Sequence, residues 1–209
     1  MRAASLALLV VIPSLSLAQP PNAAALLPFQ ALAAEGTEPI IAESHRTAAY
    51  QHTVAAVVQL TTQAAAIAIA SEAQPGVFEI VARSRAFALS QESNFGAWIE
   101  EFKFKAPDRI ELSFTARGSC ASRSITHRFA MRNKVWLVVG LDESVMRCTD
   151  NGVERDWTES ANYLTRKVVR TTFSPSKPAK VSKGRSTRSP FPLSDFPPSG
   201  PERIYTEMQ

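Results

Sequence analysis

Glu100 and His127 are the two residues whose types and surroundings could do chemistry together. Glu100 belongs to the alternating run Trp98, Glu100, Phe102, Phe104, so a strand there sets a carboxylate among aromatic rings on one face. His127 sits between Ile125 and Phe129 in a second alternating run, which sets an imidazole on an apolar face. Either charge is costly to bury alone, so each calls for a partner. If both faces turn inward, Trp98, Glu100 and His127, with Trp136 from the next apolar run, line a pocket with polar groups converging in an apolar wall. Such a pocket holds a ligand. It becomes an acid–base site only if carboxylate and imidazole reach one substrate.

Other chemistry finds little support. The chain has no H-E-x-x-H, no G-x-S-x-G, no phosphate-binding loop and no dinucleotide glycine pattern. Ser174-Pro-Ser-Lys177 matches S-x-x-K by its letters, but neither S-D-N nor K-T-G follows it. His45 and His52 lie seven residues apart, about 10 Å along a helix, too far to share one metal ion. No metal or cofactor is expected. The two cysteines, Cys120 and Cys148, belong to no C-x-x-C pair. In an oxidising compartment they read as one disulfide.

Positioning these residues falls to one predicted helix and a set of strands. Residues 38–72 read as an amphipathic helix capped by Thr37, with Tyr50, Val54, Val57, Val58, Thr61 and Ala65 on the apolar side; Gln74-Pro75-Gly76 stops it. From Val77 the period shifts to two. Val77–Leu89 fits strand or helix, and strands are expected at Ala97–Lys105, Arg109–Arg117, Ser124–Arg132, Val135–Leu141, Val145–Cys148 and Leu164–Phe173. Arg132-Asn133-Lys134 marks a tight connection, and Asp150-Asn151-Gly152 a turn. The expected fold is therefore α+β: one N-terminal helix on a curved antiparallel meander, tied by the disulfide. That layout is similar to cystatin-like and nuclear-transport-factor-like domains at the level of architecture alone.

The flanks differ in kind. Arg2, an apolar run from Ala3 to Ile12, Pro13, and small residues at Ser16 and Ala18 describe a secretory signal peptide over residues 1–18. Residues 19–36, rich in Ala and Pro, read as a mobile lead-in. The single α+β domain is placed at residues 37–173. Residues 174–209 are rich in Pro and Ser and carry Lys177, Lys180, Lys183, Arg185 and Arg188 without an intervening acid, the composition of a disordered basic tail.

Charge narrows the partners. The formal net charge is +4, but residues 19–173 hold sixteen basic and sixteen acidic residues, so the excess sits in the C-terminal stretch. A neutral body argues against nucleic acid, whose binding domains carry a basic face. No transmembrane span is expected in the mature chain, because Gln59, Thr61, Thr62 and Gln63 interrupt the apolar stretch between residues 53 and 71.

Together these features point to an exported, non-catalytic binding or interaction protein of the periplasm or cell envelope. Its partner is an unknown protein or small molecule, with an anionic envelope surface within reach of the basic tail. An inhibitor or immunity protein for an exported enzyme, acting through loops at Gly118–Arg123 or Asp150–Glu159, is the first alternative. A small pocket enzyme using Glu100 and His127 is the second.

Overall fold

The computed structural model describes residues 27–33, 39–46, 52–88, 97–117, 121–149, 152–174 and 177–197. The expected signal peptide lies outside the described residues. Among the described residues there is no α-helix: apart from two short 3-10 turns, the regular structure is strand, all of it antiparallel. No helix among the described residues is long and apolar enough to cross a membrane. The α+β expectation is therefore wrong in its helix. The described residues fold as two sheets.

The first sheet consists of β1 (Ile41–Arg46), β2 (His52–Thr61), β3 (Ala64–Gln74) and β4 (Val77–Arg83) in that order, with the short β5 (Phe87–Ala88) beside β3. Most of the expected helix is thus a hairpin, β2–β3, turning at Thr62-Gln63. The reason lies in burial. Ala55, Val57, Ala65, Ile67 and Ile69 enter one apolar cluster, while Val54, Ala56, Val58, Ala68 and Ala70 enter another on the opposite face. A strand buried on both faces needs apolar residues at every position, so its period-two signature vanishes. Pro75-Gly76, read as a helix stop, forms the β3–β4 hairpin turn, with Gly76 at φ +76° and its N–H donating to Glu72 Oε1 at 2.7 Å.

The second sheet is a meander of seven long strands: β6 (Ala97–Ala106), β7 (Arg109–Arg117), β8 (Ala121–Arg132), β9 (Val135–Thr149), β10 (Gly152–Asn162), β11 (Lys167–Ser174) and β12 (Lys177–Arg185). Asn133 and Lys134 take the positive φ values, 49° and 65°, of a tight β8–β9 hairpin. Val145–Cys148 continues β9 without a break. Parts of the two segments expected as interaction loops are strand as well: Ala121–Arg123 belongs to β8, and Gly152–Glu159 to β10.

Both flanks depart from expectation too. Of the expected mobile lead-in, Leu27–Phe29 forms a 3-10 turn, and the Phe29 ring is fully buried against the outer face of the first sheet with Leu32 and Ala33. Residues 177–185, expected to be disordered, form β12 by pairing along β11. Beyond it β13 (Phe191–Pro192) pairs with β9 at Val138 and Leu137. Leu193 and Phe196 then enter the main core. That core joins both sheets, Ala55, Val57, Ile67, Ile69 and Phe87 from the first and Phe102, Leu112, Phe114, Phe129, Trp136 and Val138 from the second. No disulfide joins two described residues: Cys148 stands in β9, and Cys120 lies outside the described residues.

Candidate functional site

His127 points into the core. It is 8 % exposed, and its ring lies edge-on to Phe196 at 4.7 Å between centroids, with Phe114 at 6.1 Å and Phe129 at 6.4 Å. Its Nε2 is buried without a hydrogen-bond partner. Burial, reinforced by the nearby Arg188 and Arg123 cations, lowers its pKa to about 3, so the imidazole is neutral at physiological pH. Trp136 is buried in the same core.

Glu100 is on the other side of the sheet. The β6–β7 register slips between Ile99 and Glu101. A bulge adds one residue, so it breaks the alternation that would have placed Glu100 with Phe102. Glu100 is exposed and accepts hydrogen bonds from Thr115 Oγ1 and, at 3.5 Å, from Ser124 Oγ. Trp98 stands opposite Thr115 in the register. The four residues named from the sequence are therefore not brought together: His127 and Trp136 serve the core, and Glu100 serves the outer face. His45 and His52 are likewise not a pair on one helical stripe. His45 lies against Phe104 at 5.7 Å, and His52 against Phe78 at 5.1 Å.

The outer face of the second sheet is where polar groups gather. Directly paired residues in an antiparallel sheet share a face, and over residues 124–128, 140–144, 158–162, 167–171 and 181–185 the pairing lays three rows across five strands. One row reads Ser124, Ser144, Thr158, Thr171, Val181. The next reads Thr126, Asp142, Ser160, Val169, Lys183. The third reads Arg128, Gly140, Asn162, Lys167, Arg185. Hydroxyls on β7 and β8 bond pairwise, Ser113 to Thr126 at 2.8 Å and Thr115 to Ser124 at 3.0 Å. A groove of about 360 Å³ runs over the first two rows. A second cleft of about 330 Å³ opens at the third row, lined by Lys105, Arg109, Arg128, Arg132, Asn162 and Leu164 among others.

The far margin of this face is basic. All nine residues of β12 are exposed, and they include Lys177, Lys180, Lys183 and Arg185 with no acid. Lys183 and Arg185 share their face with Lys167, Val169 and Val181. The two valines are 37 % and 57 % exposed, a high value for an aliphatic side chain on an ordered strand. Lysines and a proline such as Pro178 also keep an edge strand from pairing with stray strands.

On the core side, at the sheet's polar end, Arg123 and Glu143 form an ion pair with side chains only 13 % and 8 % exposed. Among the described residues no cluster of three His, Cys, Asp or Glu side chains could hold a metal ion. No family model, curated protein or solved structure matches this chain, so the functional reading rests on these residues alone.

Proposed function

We propose that this is an exported, non-catalytic binding protein of the cell envelope that attaches to an anionic lipid surface through the basic margin at β11 and β12. The observation that carries the reading is the mixed face at that margin, where Lys167, Lys183 and Arg185 surround the exposed Val169 and Val181. Cations near an anionic leaflet contribute about 1 kcal/mol each, and these three give a weak, reversible, salt-sensitive attraction. The valines supply apolar area for the interface between headgroups and acyl chains, which a purely electrostatic partner would not use. The groove and cleft beside this margin would then face the layer just above the lipid.

Co-sedimentation of the full chain with phosphatidylglycerol and phosphatidylcholine vesicles tests the proposal. Binding to the first alone, weakened by salt and by replacing Val181 with Ser, is the expected result. Equal loss to a soluble acidic polymer, with no effect of Val181→Ser, would replace the lipid by a polyanion as partner. No difference between the two vesicle types would overturn the reading.

A further inference from the structure

The cleft at the third row contains a construction that surface attachment does not use. Gly140 lies in the middle of β9, between Arg128 of β8 and Asn162 of β10. Glycine weakens a central strand, and there it commonly marks a place where another group approaches the backbone closely. Here the group is the Arg128 side chain. A Cβ on Gly140 would stand 2.8 Å from Arg128 Nε, 2.8 Å from Nη2 and 2.7 Å from the Ala161 carbonyl oxygen. The guanidinium thus occupies the space that a side chain at Gly140 would take. Its Nη2 donates to the Ala161 oxygen at 2.8 Å and to the Leu141 oxygen at 3.4 Å. These bonds fix the plane of a group that, on an ordinary surface, samples many rotamers.

The surroundings complete a receptor for an anion. Asn162 accepts the Thr165 N–H on its Oδ1 at 3.0 Å, which leaves its amide N–H groups for the cleft. Lys105, Arg109 and Arg132 stand around the same opening. Charge is nearly balanced: Lys105 pairs with Glu111 at 3.3 Å, Arg132 and Arg109 share Asp108 at 3.0 and 4.0 Å, and Arg128 lies 3.4 Å from Asp142. Four cations meet three carboxylates, so one positive charge remains to be matched. Val139 and Leu164 give the cleft an apolar wall. Its volume of about 330 Å³ is at the small end of ligand sites.

We propose that this cleft binds a small monocarboxylate with an apolar body, one carboxylate oxygen accepting from an Arg128 guanidinium N–H not used in the backbone bonds and the other from the Asn162 amide. The single unmatched charge selects a monoanion over a phosphate dianion, and the apolar wall takes the hydrocarbon portion. None of the residues lining the cleft belongs to β11 or β12.

Titration of the full chain with octanoate, octanamide and inorganic phosphate, followed by NMR of the Gly140 backbone N–H, the Arg128 Nε–H and the Asn162 amide, tests the proposal. Saturable shifts of all three signals with octanoate and none with octanamide are expected. Arg128→Lys keeps the charge but loses the planar guanidinium fixed by its backbone bonds, and it should weaken octanoate by about tenfold or more. Gly140→Ala should do the same by displacing the guanidinium; if it does not fold, Arg128→Lys decides alone. Absence of saturable shifts, equal binding of octanamide, tighter binding of phosphate, or undiminished octanoate binding by Arg128→Lys would each overturn the assignment.

Discussion

Acidification from pH 7.5 to 5 is expected to remove about 2 kcal/mol of folding stability through His127 alone. The folded-state pKa is about 3 against 6.5 for a free imidazole. Between those values the unfolded chain holds one proton that the folded chain does not. Stability from this residue is therefore complete above pH 6.5, falls by about 1.4 kcal/mol for each pH unit below it, and stops falling near pH 3. At pH 5 the loss spans roughly 1.5 pH units, hence the figure of about 2 kcal/mol, a large part of the 5–15 kcal/mol typical of a domain. Geometry explains the size: the ring is walled by Phe114, Phe129 and Phe196, and Arg188 and Arg123 repel a third cation. Glu43 works in the opposite sense, since burial and the Glu101 carboxylate push its pKa up, so raw pH profiles mix several groups. His127→Leu removes the titrating group and isolates its share. Urea midpoints of the two proteins at pH 7.5, 6 and 5 give the measurement, with equal m-values required. The wild type should lose about 2 kcal/mol relative to the variant by pH 5. An unchanged difference between the two proteins across that range would refute the reasoning.

Three further outcomes follow from the same structure. Glu143→Ala leaves the Arg123 guanidinium buried without its partner and should cost about 3 kcal/mol or more in chemical denaturation; a loss under 1 kcal/mol would mean that water reaches the pair. Phe29→Ala should destabilise by about 3–5 kcal/mol, because the ring is fully buried against the first sheet. A negligible effect would detach the segment before β1 from the fold. Replacing Lys183 and Arg185 by Gln should weaken partition onto phosphatidylglycerol vesicles by about 30-fold, from about 1 kcal/mol per cation, while leaving the thermal midpoint within a degree or two.

Much of the second sheet was legible in the sequence. Ile110, Leu112 and Phe114 alternate with Glu111, Ser113 and Thr115 because one face of β7 meets the core and the other meets polar groups. The same holds for Ile125, His127 and Phe129 on β8, and Asn133-Lys134 announces the hairpin that joins β8 to β9. The first sheet was hidden for the converse reason. Val54 to Val58 and Ala65 to Ala70 are buried on both faces, and an unbroken apolar run fits a helix as well as a strand. β12 escaped notice because it buries nothing and joins the sheet through its backbone, which composition does not report. The Glu100–His127 pairing failed at one residue, the bulge that turns Glu100 to the outer face. The cleft at Arg128 is lined from five strands, β6 to β10, that register alone brings together. Its one visible trace was a glycine inside the apolar run Val135–Leu141.

The position of Phe196 has a consequence for the order in which the molecule can be completed. This ring covers the imidazole of His127, yet in chain order it comes after every other member of the core. Synthesis from the N-terminus therefore delivers that ring after the strands it packs against. Until then the His127 imidazole lacks the aromatic ring nearest to it, the one 4.7 Å away between centroids.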